Sequence, residues 1–367
     1  MLQWFAAHDC ILPLIRPRDV TSQSEVASLS GVSVSTVSRA LNPQTAHLVN
    51  PRTREQILSA SSELRFRPNA LARGLRGRYS NTIGVIVHDI RDPYFAEGAR
   101  AVADAAAEAG FLAVVCNSGR DPETELSYIR QMIDYKTAGL LFIGGGLDNA
   151  DYRRELAPLV AAIEAYGGGV VALGPRLDRW LAEVPDNQGG AVLATEHLIG
   201  FGHRRIAFID GPPGLRTSRE RRLGYEQGLL SAGIDRDARL VRAGGYDAVG
   251  GMQALADIVE SGTGFSAVFA SNDAMAIGCL HELRRRGMRV PEDVSVVGFD
   301  DVPVAQWLAP PLTTVVLPMA KIGRAGVARL LTRLQRPDGK RGRRVNVHPC
   351  GLIVRQSTAP VLEKGTR

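Results

Sequence analysis

Four cysteines are scattered through 367 residues, at positions 10, 116, 279 and 350, with no C-x-x-C pair among them. That spacing excludes a disulfide framework and a thiolate-rich zinc site, and suits free thiols in a reducing compartment. No run of about eighteen apolar residues occurs, so no membrane-spanning helix is expected. The short motifs of nucleotide-binding and hydrolytic enzymes are missing too. There is no G-x-G-x-x-G behind a strand, no G-x-x-x-x-G-K-[ST], no G-x-S-x-G and no H-E-x-x-H. His88, His197, His203, His281 and His348 stand apart from one another. Neither catalysis, nor a cofactor, nor a bound metal is expected.

What is present is a basic head on a neutral body. The chain carries a formal charge of +6, and residues 1–80 account for +5 of it, with ten Arg, no Lys and five Asp or Glu. Charge gathered at one end is the distribution expected when that end alone meets nucleic acid. Residues 1–20 fit poorly with the rest of the chain. They lack the basic n-region and A-x-A site of a secretory signal, and FAAHD before Cys10 makes a poor lipoprotein signal. They read as a leader, either disordered or created by a start codon chosen upstream of Val20, and the protein is expected in the cytoplasm.

From Ser22 to Leu64 the pattern is helical and short. Ser22 with Glu25 three residues on is a capping box opening the helix EVASLS. Gly31 can take positive φ and end it. Ser33 can cap a second helix, VSTVSRAL, after a tight turn. Asn42 and Pro43 mark a loop, and Pro51 suits the first turn of a third helix, RTREQILSASSEL. Val26, Ala27, Leu29, Val32, Val37, Leu41, Ile57 and Leu64 suffice for a three-helix core and no more.

From Ile83 onward short apolar runs alternate with amphipathic helices. IGVIV, LAVVC, GLLFIG and VVAL come first, then IAFID, AVFAS and VSVVGFD, with helices expected near 94–109, 122–135, 152–166, 187–200, 218–232, 248–261 and 273–287. Parallel sheets covered on both faces read this way. So many units divide more naturally into two sheets than one. A ligand is then expected beyond the carboxyl ends of the strands, in the cleft between two lobes. RPNALARGLRGRYSN, residues 67–81, is basic and glycine-interrupted and reads as a linker.

The segment EVASLSGVSVSTVSRALN, residues 25–42, resembles the DNA-binding headpiece of the lactose-repressor (LacI/GalR) family, whose signature runs D-V-A, G-V-S, T-V-S-R and a closing N. The resemblance continues in order through TREQI, the Pro-Asn-Ala-Leu-Ala-Arg-x-Leu hinge, DPYF, GHRRIAFI, NDAMAIG, VPEDVSVVGFDD and PPLTT, spanning residues 21–357. It implies a small all-α helix-turn-helix headpiece at 21–66, a hinge at 67–81, and a two-lobed, doubly wound α/β domain like periplasmic binding proteins at 82–360. The chain would cross between lobes near 185–188, 315–318 and 346–349. The function implied is that of a homodimeric or larger transcriptional regulator, most often a repressor. It would bind palindromic operator DNA under the control of a small-molecule effector, a sugar or another small metabolite.

In a helix-turn-helix the second helix lies in the major groove with its first residues at the base edges. Here those are Val34 and Ser35, with Arg39 one turn further on. Arg39 can donate twice to guanine O6 and N7, and Val34 offers methyl groups to a thymine methyl. Ser33, Thr36, Ser38 and Asn42 are better placed for phosphates. In the hinge, the resemblance implies DNA contacts by Asn69, Ala72 and Arg73. Leu75 matches the leucine that each subunit of the family inserts into the minor groove, an apolar wedge among arginines. Gly74 and Gly77 should keep this segment unfolded until DNA orders it.

For the sensing domain the resemblance points to Tyr94, Phe95, Arg221, Tyr246, Asn272 and Asp300 as effector contacts. Asn272 and Asp300 each follow an apolar strand and should face the ligand, whereas Asp273 should be structural. Where sugar-binding members place polar side chains this chain has Gly144, Gly174 and Leu317, which weighs against a simple sugar. Two rival readings fare worse. A periplasmic solute-binding protein would share the lobes but would need an export signal and would lack the headpiece. An α/β enzyme would need one of the motifs that are absent.

Overall fold

The first amides of a helix have no partner within it, and each headpiece helix is preceded by a polar residue that supplies one. The computed structural model describes residues 21–42, 45–66, 79–146, 149–176, 180–336 and 344–361. It divides into two units, Met1–Gly77 and Arg78–Arg367. The leader and the hinge positions Asn69, Ala72, Arg73 and Leu75 lie outside the described residues.

Ser22 caps α1 (Gln23–Ser30). Its hydroxyl accepts from the Glu25 amide at 3.2 Å, and the Glu25 carboxylate accepts from the Ser22 amide at 2.6 Å. Gly31, at φ 65°, ends the helix in the left-handed conformation. Ser33 caps α2 (Val34–Ala40), and Asn50 caps α3 (Pro51–Glu63), whose first residue is the proline. Val26, Ala27, Val37, Ala40, Ile57 and Ala60 form the core, with Val32, Leu41, Leu64 and Phe66 packed against it. Leu29, expected in that core, is 49% exposed. The inward stripe of α1 is centred between Val26 and Ala27, and position 29 lies about 110° away from it at 100° per residue. Half-buried Ser30 occupies the inner edge instead. Ser22→Ala removes the hydroxyl half of the box, leaves the backbone donor to Glu25 in place, and should cost the headpiece about 1 kcal/mol. Faster hydrogen exchange across Gln23–Ser30 in the full chain would register it.

The second unit is built on two sheets. The first holds β1 (Ser80–Val87), β2 (Leu112–Asn117), β3 (Thr137–Ile143), β4 (Gly169–Leu173), β5 (Leu181–Pro185) and β11 (Val345–His348), in the order β11-β5-β4-β3-β1-β2. Its strands are parallel throughout. The second holds β6 (Ile206–Asp210), β7 (Val241–Ala243), β8 (Ala267–Ala270), β9 (Ser295–Asp300), β10 (Thr313–Val316) and β12 (Gly351–Ile353), in the order β12-β10-β9-β8-β6-β7. These too are parallel, except that β12 runs antiparallel to β10 at the edge.

Helices α4 (Pro93–Glu108), α5 (Pro122–Asp134), α6 (Ala150–Ala165) and α11 (Met319–Gln335) cover the first sheet. The second is covered by α7 (Asn187–Gly200), α8 (Arg216–Ser231), α9 (Ala248–Glu260) and α10 (Asp273–Arg285). The chain passes between sheets after β5, after β10 and between β11 and β12. Burial on both faces explains why β4, and β3 beyond Thr137, carry no alternation of apolar and polar residues. Helices α7 and α8 lie unusually close. A Cβ on Gly224 would sit 2.2 Å from the Gln188 carbonyl oxygen, so only glycine fits there.

Candidate functional site

In the headpiece, α2 turns Val37 and Ala40 into the core and leaves Val34, Ser35 and Arg39 exposed on the opposite face. Arg39 makes no ion pair among the described residues, so its guanidinium is available to an outside acceptor. Ser33 is committed to the cap. Its hydroxyl oxygen accepts from the Thr36 amide at 3.2 Å and lies 2.8 Å from Ser35 Oγ and 2.9 Å from Thr36 Oγ1. Thr36, Ser38 and Asn42 are half-buried beside that face.

In the second unit all six predicted effector residues line one cavity between the lobes, of about 40 Å³. Tyr94 and Phe95 enter from the first turn of α4, which Asp92 caps through the Tyr94 amide at 3.0 Å. The Phe95 ring meets those of Tyr94 and His88 edge to face, at 4.8 and 5.5 Å. From the other lobe comes Arg221 of α8, 3% exposed. Its Nη2 donates to Asp300 Oδ1 at 3.0 Å, its Nε to Asn187 Oδ1 at 3.1 Å, and its Nη1 to the Ser271 carbonyl. The guanidinium also stacks 3.8 Å from the centre of the Phe299 ring. Burial pushes the Asp300 carboxyl upward against the pull of Arg221. Asp300 itself stands at φ 115° and Tyr246 at φ 68°, both in the left-handed region that non-glycine residues rarely enter. Such strain concentrates where geometry serves a ligand.

Asn272 lines the cavity but spends its polar atoms within the protein. Its Oδ1 caps α10 through the Met275 amide at 2.9 Å, and its Nδ2 donates to the Tyr246 carbonyl at 3.3 Å. Asp273 is fully buried, accepting from Thr314 Oγ1 at 2.6 Å and from the Val302 amide at 2.9 Å, and burial pushes its carboxyl up to about 7. Arg120 and His88 are among the cavity residues that the sequence did not single out as contacts. Arg120, at φ 62° in the turn after β2, holds its guanidinium 5.6 Å over the Tyr246 ring, and its buried Nε has no hydrogen-bond partner among the described residues. His88 Nε2 lies 2.9 Å from the Gly145 carbonyl oxygen.

Burial lowers His88 to about 4, from 6.5, and the positive charge of Arg176 adds to the effect. The unfolded chain therefore takes up a proton near pH 6.5 that the native state refuses until about pH 4. Stability from this group is complete above pH 6.5 and is lost as pH falls through that window. His88→Gln should flatten this part of the acid limb in thermal melts. An unchanged slope would assign the limb to other groups.

Gly144 and Gly174 are packed backbone to backbone at the strand ends. A Cβ on Gly174 would lie 2.6 Å from the Gly144 carbonyl carbon, and one on Gly144 2.8 Å from the Phe95 ring. Leu317 is buried. None of the three offers a polar side chain to the cleft.

Residues 24–69 match the family model for bacterial regulatory proteins of the lacI family, and residues 195–358 that for a periplasmic binding protein-like domain. The HTH-type transcriptional repressor CytR of Escherichia coli K12 is 33% identical over 341 residues, covering 92% of this chain and 96% of its own. The chain belongs to the lacI family of bacterial regulatory proteins. The repressor PurR of Haemophilus influenzae is 31% identical over 340 residues, covering 92% of this chain and 98% of its own. Among solved structures, the lac repressor dimer bound to operator and the anti-inducer ONPF superposes with a TM-score of 0.80 at 27% identity, over 93% of this chain and 99% of that one. The complex of the regulator CelR with cellobiose superposes at 0.67 and 32%, over 92% and 99%. This lacI-family member is a DNA-binding transcriptional regulator with an effector-binding domain. Its relatives are repressors, and among its described residues no helix is long and apolar enough to cross a membrane.

Proposed function

We propose that this lacI-family regulator is a cytoplasmic repressor without catalytic activity, which grips a palindromic operator as a homodimer and changes its grip when a small metabolite enters the cleft. The observation that carries the reading is the convergence of Tyr94 and Phe95 from one lobe with Arg221, Tyr246, Asn272 and Asp300 from the other. A ligand touching both groups binds one lobe arrangement better than another, and only such a difference can shift an equilibrium. The lac repressor is seen on its operator as a dimer, and CelR holds cellobiose. By that likeness two headpieces read two half-sites. Val34, Ser35 and Arg39 take the bases, while Ser33, Thr36, Ser38 and Asn42 take the phosphates. The hinges supply Asn69, Ala72, Arg73 and Leu75 to the minor groove.

A thermal-shift screen of metabolites on the full chain, followed by mobility shift on a palindromic duplex, tests this. An effector at about 100 times its dissociation constant adds about 2.7 kcal/mol of stability. A compound that stabilises the protein yet leaves operator affinity untouched would sink the regulatory reading. Hydrogen exchange at residues 69–77 tests the hinge, and should be fast in the free protein and slow on operator. Protection already present without DNA would mean a preformed linker.

A further inference from the structure

Beside the small cavity lies a larger chamber of about 410 Å³, and its walls are basic. Arg153 and Arg176 come from the first lobe, Arg216, Arg219 and Arg222 from the second, and among the described residues lining it the one carboxylate is that of Asp210. The volume is in the range of a small-metabolite pocket. The cavity around Arg221, by contrast, has space for only about three water molecules. A metabolite-sized effector does not fit around Arg221 while the lobes keep this spacing, and the chamber shares Leu215 with that cavity.

The arginines are held rather than merely gathered. Arg176, 3% exposed at its side chain, sits against Glu125 at 2.7 Å, and its ring-facing side lies 4.5 Å over Phe142. Arg222 donates to Asp210 Oδ2 through Nε at 2.6 Å and also through Nη2, which leaves Nη1 of a half-exposed guanidinium for another acceptor. Arg216 donates across the cleft to the Arg176 carbonyl. Arg219 is exposed on the same end of α8 and has no ion-pair partner among the described residues. Among the lining side chains five guanidiniums stand against Asp210, with Glu125 paired behind Arg176, and that excess of positive groups favours an anion. Planar guanidiniums are also the groups best suited to phosphate and carboxylate oxygens.

We infer that the effector carries an acidic group, a phosphate or a carboxylate, and that this chamber receives it. The inference rests on the proposed effector cleft and names the chemical class of its occupant. The anion binds both lobes at once, from Arg153 on one side and from Arg216, Arg219 and Arg222 on the other, while Arg176 stays paired with Glu125. It therefore favours the closed arrangement over an open one, which is the differential affinity an allosteric ligand needs.

The test titrates the full-length protein at constant ionic strength with inorganic phosphate, with chloride, and with three matched pairs: glucose and glucose 6-phosphate, ribose and ribose 5-phosphate, glucose and gluconate. Inorganic phosphate should raise the melting temperature where chloride does not. At least one acidic partner should bind about tenfold or more tightly than its neutral parent. A phosphate preference and a gluconate preference tell the two acid groups apart. Arg153→Gln and Arg219→Gln should each remove most of the preference, since both side chains are exposed and the fold does not depend on them. Arg284→Gln, about three turns along α10 from the cleft, should leave it intact.

Equal binding of acid and parent, an equal response to chloride, or an equal loss in Arg284→Gln would overturn the inference. So would silence toward every anion. A neutral metabolite that releases operator from both Arg→Gln variants would keep the effector reading and end the anion one. Anion binding that depends on Arg153 and Arg219 but never alters operator affinity would do the reverse.

Discussion

Asp300→Ala is expected to abolish the effector response and to lower stability by about 3–5 kcal/mol, because it leaves the buried Arg221 guanidinium without its carboxylate. Arg221 and Asp300 are 4% and 6% exposed at their side chains, so water cannot replace the lost partner. Removing one member of a buried pair is far costlier than removing both, which gives a control. The double variant Arg221→Met, Asp300→Leu should recover most of the stability and none of the response. Urea melts report the first quantity. Thermal shift with a metabolite that stabilises the wild type, beside operator release, reports the second. If Asp300→Ala kept the wild-type ligand midpoint, the effector would bind elsewhere. Burial couples the two groups further: the surroundings push the Asp300 carboxyl upward while Arg221 pulls it down, and a ligand that competes for either partner disturbs both.

Arg39→Ala should cost about 1–3 kcal/mol on a cognate palindrome, between about fivefold and 150-fold in affinity per half-site, while weak non-specific binding persists. The reason lies in what the side chain can do. An exposed guanidinium on the outer face of α2 presents two parallel donors, the spacing at which guanine offers O6 and N7. A phosphate contact would behave otherwise, weakening all sequences alike and lowering the salt dependence of binding by about one ion. Mobility shifts on cognate and scrambled duplexes at several salt concentrations separate the two. A parallel loss on both duplexes would make Arg39 a phosphate contact.

Much of the fold was legible because its signals are short-ranged. The Ser22–Glu25 box, the glycine end at Gly31, the cap Ser33 and Pro51 in the first turn of α3 each involve residues within four positions. The seven apolar runs all became strands of the two sheets. The elements that went unread are of two kinds. β7 and β12 are three residues long, while β5 (LAEVP), β10 (TTVV) and β11 (VNVH) carry polar residues or proline that break the apolar run. Helix α11 is long and regular, with Met319, Ile322, Val327, Leu330 and Leu334 buried. Its spacing was readable, but it comes after a lobe crossing and interrupts the strand–helix rhythm. Leu29 failed for a geometric reason, since an eight-residue helix has room for only one narrow inward stripe.

The candidate site was read through family likeness, and it was read incompletely. Tyr94, Phe95, Arg221, Tyr246, Asn272 and Asp300 line one cavity, but Asn272 also spends both ends of its amide on a helix cap and a carbonyl. Arg120 was missed because its direction depends on a left-handed turn, Gly119 followed by Arg120 itself, that brings the guanidinium over Tyr246. No composition or spacing encodes that direction.

The amino-acid sequence by itself determined where helices begin and end, which runs are buried strands, and which end of the chain meets nucleic acid. Those properties follow from neighbours along the chain and from local charge. Only the tertiary structure decided that Arg221 and Asp300, 79 residues apart, meet at 3.0 Å in one buried cleft. It alone decided that the cavity between the lobes is small and that arginines from both lobes wall a larger chamber beside it. Distance in space between groups far apart in sequence is set by how sheets and helices pack, and packing is a property of all of them together.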